Sequence, residues 1–119
     1  MSIPVRVTAK DDGGTVEFSV NRDPINVPVG NGAQDIVFTL VDQTNNGPTV
    51  FNTKDPIDYA VNTHCPGSET NSDQLQVGGC SDSQLTVNNV ATSKCTIGYK
   101  LNFLYGNTPK SFDPIIING

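Results

Sequence analysis

Few side chains in this sequence could do chemistry: one histidine, His64, and three cysteines, Cys65, Cys80 and Cys95, spaced fifteen residues apart. An odd count of cysteines allows at most one intramolecular disulfide. Cys65 and Cys80 lie beside Pro66-Gly67 and Gly78-Gly79 in a polar middle segment, 62–83. A Cys65–Cys80 bridge would staple that poorly cored region, stabilising it by about 3 kcal/mol on the loop-closure argument. In a reducing compartment all three would stay thiols. His64 and Cys65 are adjacent, but neighbours on an extended chain point to opposite faces, so adjacency does not make a nucleophile–base pair. Four zinc ligands could be drawn from His64, Cys65, Cys80 and Cys95, without the close Cys-x-x-Cys or His-x-x-x-His pairs that structural zinc sites favour.

The carboxylates are equally sparing. Asp42 to Gly47 looks like the start of an EF-hand loop, yet its twelfth position is Thr53 rather than a bidentate Glu. Asp11, Asp12, Asp42 and Asp55 read as turn carboxylates, with calcium between end loops as the alternative. No nucleophile elbow and no phosphate-cradling glycine loop is present. The sequence predicts no catalytic, cofactor-binding or metal-ligating residue, and no cofactor.

The elements that would position these residues are strands. Cys95 to Tyr105 sets Cys95, Ile97, Tyr99, Leu101, Phe103 and Tyr105 on one face, a period of two over eleven residues. It reads as a long central strand, turned by the loop GNTPK (106–110) into a partner over 112–118. Asp35 to Asp42 has apolar residues on both faces, which predicts a second central strand. Ile3, Val5, Val7 and Ala9 alternate with polar neighbours, turn at Asp11-Asp12-Gly13-Gly14, and return through Val16, Phe18 and Val20 as a hairpin. Ile25, Val27 and Val29 form a short strand that Pro28 confines to an edge. Shorter strands are predicted at 49–52, at 57–61, near Leu75 and Val77, and at 84–90. The tripeptides Asp23-Pro24-Ile25, Asp55-Pro56-Ile57 and Asp113-Pro114-Ile115 each fall where a strand begins, a place where a missing N–H is tolerated.

Residues 1–119 therefore form one all-β domain, an antiparallel β-sandwich of about eight or nine short strands. From about residue 25 the rhythm resembles an immunoglobulin-like domain, with Tyr99 where such domains often keep a core tyrosine. The Cys pair and Trp of antibody domains are missing. At this level the resemblance implies a fold and no function.

A net charge of −5 with seven scattered Lys and Arg excludes a nucleic-acid partner on electrostatic grounds, and no window is apolar enough to span a membrane as a helix. The protein is expected to be cytoplasmic if residue 1 is its native start and secreted if a signal peptide has been removed. The segment 62–83 is expected to be the most mobile part of the chain, and Cys95 a buried thiol. Three consecutive isoleucines cannot share one face of a strand. Either Phe112 and Ile116 or Ile115 and Ile117 must then turn outward beside Leu104, to be covered by a second copy or a protein partner or, alternatively, by the chain's own N-terminal segment. The expected function is non-enzymatic binding or self-assembly through sheet faces or edges. The alternative is a ligand or metal module in loop 62–83 around His64.

Overall fold

A computed structural model of the chain describes residues 2–45, 48–59, 75–92, 94–112 and 115–119. Eleven strands are found and, among the described residues, no helix. The strands are β1 (Ser2–Asp12), β2 (Thr15–Val20), β3 (Ile25–Val27), β4 (Gln34–Gln43), β5 (Thr49–Phe51) and β6 (Ile57–Tyr59), followed by β7 (Leu75–Cys80), β8 (Gln84–Asn89), β9 (Cys95–Tyr105), β10 (Thr108–Phe112) and β11 (Ile115–Asn118).

They form two packed sheets. The first runs β2-β1-β4-β8-β7. The second is built around β9, with β10, β11 and then β3 to one side, and β5 and β6 also paired to β9. The two strands expected to be central, β4 from its two apolar faces and β9 from its long alternation, sit inside their sheets, as the sequence predicts. The three Asp-Pro-Ile tripeptides have one structural meaning: Ile25, Ile57 and Ile115 open β3, β6 and β11, all in the second sheet. The Asp23–Pro24 peptide is cis.

Alternation explains the core. On β1, Ile3, Val5, Val7 and Ala9 point inward, and β4 contributes Ile36, Phe38 and Leu40. The second sheet answers with Ile97, Tyr99, Leu101 and Phe103 of β9, together with Phe51 and Ile116. Phe103 lies between two rings, with centroids 4.3 Å from Phe18 and 5.0 Å from Phe51. Such offset contacts add about 1 kcal/mol each to the gain from burial.

Two expectations are corrected. The sheets are mixed rather than antiparallel, since β1 pairs parallel with β4 and β11 parallel with β3. Side-chain alternation has the same period in either direction, so it cannot report strand polarity. A parallel neighbour needs a crossover, and the chain supplies one by passing into the second sheet through β3 before β4. The second correction concerns the last hairpin. Its turn is the two-residue Gly106-Asn107, with φ of 54° and 74°, rather than the five residues 106–110. Positive φ at both positions is a type I′ turn, whose twist matches paired strands. Asn tolerates that conformation because its side chain can bond locally. The β1–β2 hairpin uses the same device at Gly13-Gly14, with φ of 57° and 93°.

Candidate functional site

The five residues expected to face outward divide. Thr108 pairs with Tyr105 and Ile116 with Ile97, so even-numbered residues of β10 and β11 share the inward phase of β9. Ile116 is fully buried, and Phe112 is half-buried against the core with its ring 6.4 Å from Phe18. Neither faces outward; this is the correction that the short turn imposes. Leu104 and Ile117 are half-buried on the outer phase, while Ile115 pairs with Gly98 and its side chain lies outside the described residues. The outer face is not one apolar patch. Leu104 is flanked by Val50 and Pro109, while Ile117 borders a shallow depression of about 310 Å³ with Pro28 and Val27.

Between them runs a polar groove of about 300 Å³, lined by Asn52, Asp55, Asp58, Lys100, Asn102 and Ser111. Asn102 organises it. Its side-chain amide donates to the Asp55 carbonyl and to Asp58 Oδ2, both at 2.9 Å, while its backbone joins Pro56 and Asn52. These bonds tie β5, β6 and β9 together, which accounts for the groove structurally.

The turn carboxylates are similarly engaged. Asp42 Oδ1 accepts from the Thr44 N–H at 3.0 Å and from the Thr44 hydroxyl, and Oδ2 accepts from the Thr49 N–H at 3.1 Å. Partial burial opposes its charge, but the Thr44 and Thr49 donors outweigh that and hold the carboxyl below its ordinary value. Asp11 accepts from the Asn45 N–H at 2.6 Å and from the Tyr105 hydroxyl at 2.9 Å. Among the described residues no three metal-ligating side chains gather.

Cys80 is a free, half-buried thiol that donates to the Ser81 carbonyl at 3.5 Å; the other cysteine of the expected Cys65–Cys80 bridge lies outside the described residues. Burial, and then the nearby Asp82 charge, push its pKa up, away from reactive thiolate character. Cys65, His64 and most of the segment 62–83 lie outside the described residues, as does the side chain of Cys95. Tyr99 is in the core, tilted against Phe38 at 6.0 Å. Burial, then the Asp23 charge, raise its pKa well above the usual phenol value, and its hydroxyl has no hydrogen-bond partner among the described residues.

The feature that residue-type reasoning missed is the state of the sheet edges. Backbone groups alternate in direction along a strand. The Asn21 N–H donates to the Arg6 carbonyl at 3.1 Å, and the Arg6 N–H donates to Asn21 Oδ1 at 2.8 Å. The even-numbered residues of β1 therefore present their backbone groups toward β2. Ahead of Arg6 the same edge offers only Ser2 and Pro4, and Pro4 has no N–H. On β10, Pro109 lies opposite Leu104 and must be a non-hydrogen-bonded pair, so the outer edge of β10 presents Pro109 and Ser111. Strand β3 is three residues long and is followed by Pro28. Strand β7 is bulged between Val77 and Gly79. Each of these is a known way of blunting an edge.

Strand β2 has none of them. Its pairs Asp12–Thr15, Lys10–Glu17 and Thr8–Ser19 take the backbone bonds to β1. Val16, Phe18 and Val20 consequently turn their N–H and C=O groups to an edge that has no neighbouring strand among the described residues, while their side chains sit half-buried against the core.

No protein-family model matches the chain, and no curated protein matches it.

Proposed function

We propose that the chain is a non-enzymatic β-sandwich, immunoglobulin-like in architecture, that works by binding or self-assembly through a sheet edge. The observation that carries this reading is the β2 edge, where a six-residue strand without proline or bulge leaves backbone groups unpaired among the described residues. Main-chain bonds to an added strand give affinity, and the half-buried Val16, Phe18 and Val20 give it an apolar floor. The immunoglobulin-like part of the reading is supported by two packed sheets and a core tyrosine at position 99. The non-enzymatic part is supported by a sequence with a single histidine and no convergent acid–base set.

Size-exclusion chromatography with light scattering tests the reading. A species heavier than 12.7 kDa, or a stoichiometric complex with a protein partner, is the expected result. A chain that stays monomeric at high concentration and forms no complex with any protein of its native extract would sink it.

A further inference from the structure

The strand that completes the β2 edge has to satisfy three things at once: the outward backbone groups of Val16, Phe18 and Val20, the apolar seam beneath them, and the charges at either end. The seam lies where the two sheets meet. Phe18 stacks on Phe103 and approaches Phe112, and Lys110 Nζ reaches Thr15 Oγ1 at 3.3 Å.

We propose that the occupant is a second copy of this chain, β2 against β2, antiparallel about a two-fold axis at Phe18. The inference rests on the assembly reading above and names its partner. Because only even-numbered residues present backbone groups, hydrogen-bonded pairs must join even to even. Centring the axis at Phe18 sets Phe18 opposite itself and Val16 opposite Val20, so every outward group of the strand is bonded. On the outer face this register puts Glu17 opposite the second copy's Ser19. Moving the axis to Glu17 would instead face two carboxylates across a close pair, which is repulsive. Moving it to Ser19 leaves Val16 beyond the end of the partner strand.

The ends are complementary in charge. Just past β2, the exposed Arg22 falls opposite Gly14 of the other copy, beside its acidic turn carrying Asp11 and Asp12. The two-fold repeats this contact at the opposite end, as an isologous interface must. The two first sheets then become one continuous sheet, and the half-buried rings of Phe18 and Phe112 are covered in the seam.

Ser19 is exposed and takes no part in the core, so its charge can be changed without unfolding the chain. The 119-residue chain and its variants are compared by light scattering over a range of concentrations, with thermal melts confirming the fold. Ser19→Lys, which faces Glu17 twice per dimer, should tighten dimerisation about fivefold, and Ser19→Glu should weaken it by about the same factor. The double change Glu17→Lys with Ser19→Glu should restore it. Arg22→Glu should weaken it, and added salt should weaken the wild type. A wild type that is monomeric at every concentration overturns the proposal. A dimer that ignores the Ser19 series but dissolves with Leu104→Lys also overturns it, while leaving assembly itself standing.

Discussion

Two hairpins meet at one side of the sandwich, β1–β2 and β9–β10, and they are built alike up to their outer strands. Each turns through two residues of positive φ, Gly13-Gly14 in one and Gly106-Asn107 in the other. They are joined directly, by the Phe18–Phe103 stack, the Lys110–Thr15 contact and the Tyr105 hydroxyl on Asp11. The difference lies in which residues face the open edge. On β10 the outward positions are Pro109 and Ser111; on β2 they are Val16, Phe18 and Val20. Proline removes a donor where a neighbour would need it, so β10 is closed to strand addition and β2 is open to it.

The largest effect expected on the β9–β10 side comes from its return strand. Ile116→Lys places an unpaired charge in the core and should destabilise by about 4 kcal/mol or unfold the chain, whereas Ile117→Lys on the outer phase should shift stability by less than about 1 kcal/mol. Equal melting temperatures for the two would mean the register of β11 is wrong. Next is the aromatic stack. Phe103→Ala should lower stability by about 4 kcal/mol in urea titration, and Phe18→Ala, half-buried, by about 2 kcal/mol. A reversed ranking would make β2, rather than β9, the anchor of the seam.

Pro109→Val tests the contrast itself. It gives β10 an outward donor, and self-association measured by light scattering should rise roughly tenfold with the melt little changed. No change in association would remove the role assigned to the proline. Tyr105→Phe cuts the hydroxyl bond between the hairpins and should cost about 1 kcal/mol by equilibrium unfolding.

The smallest effect is acid sensitivity at Asp42. Its pKa is lowered in the fold, so its contribution is complete above the ordinary value of 3.8 and is lost as pH falls through the lower folded value. Wild type should therefore lose slightly more stability on acidification than Asp42→Asn. An identical pH dependence of the two melts would leave the Thr44 and Thr49 bonds without energetic weight.

What the sequence determined by itself was the alternation of side chains along single strands and several of the places where strands begin. Alternation located β1, β4, β8 and β9 and chose the inward faces of β1, β8 and β9. The Asp-Pro-Ile tripeptides marked three strand starts, apolar residues on both faces marked β4 as central, and an eleven-residue alternation with one apolar face marked β9. These follow from the geometry of a single extended chain, in which side-chain direction repeats every two residues whatever lies alongside. Whether β1 ran parallel or antiparallel to β4, and whether GNTPK turned over two residues or five, was not encoded there. Partner choice, polarity and register belong to pairs of strands, and each is settled by crossovers and by which register fills the core. The turn's choice of two residues decided between the two registers the isoleucines allowed, sending Ile116 into the core and Ile117 to the outer phase. Likewise Pro4, Pro109 and Phe18 were plain in the chain, but only the assembled sheets decided which of their backbone groups faced an open edge, because an edge exists only once its strand has a neighbour on one side alone.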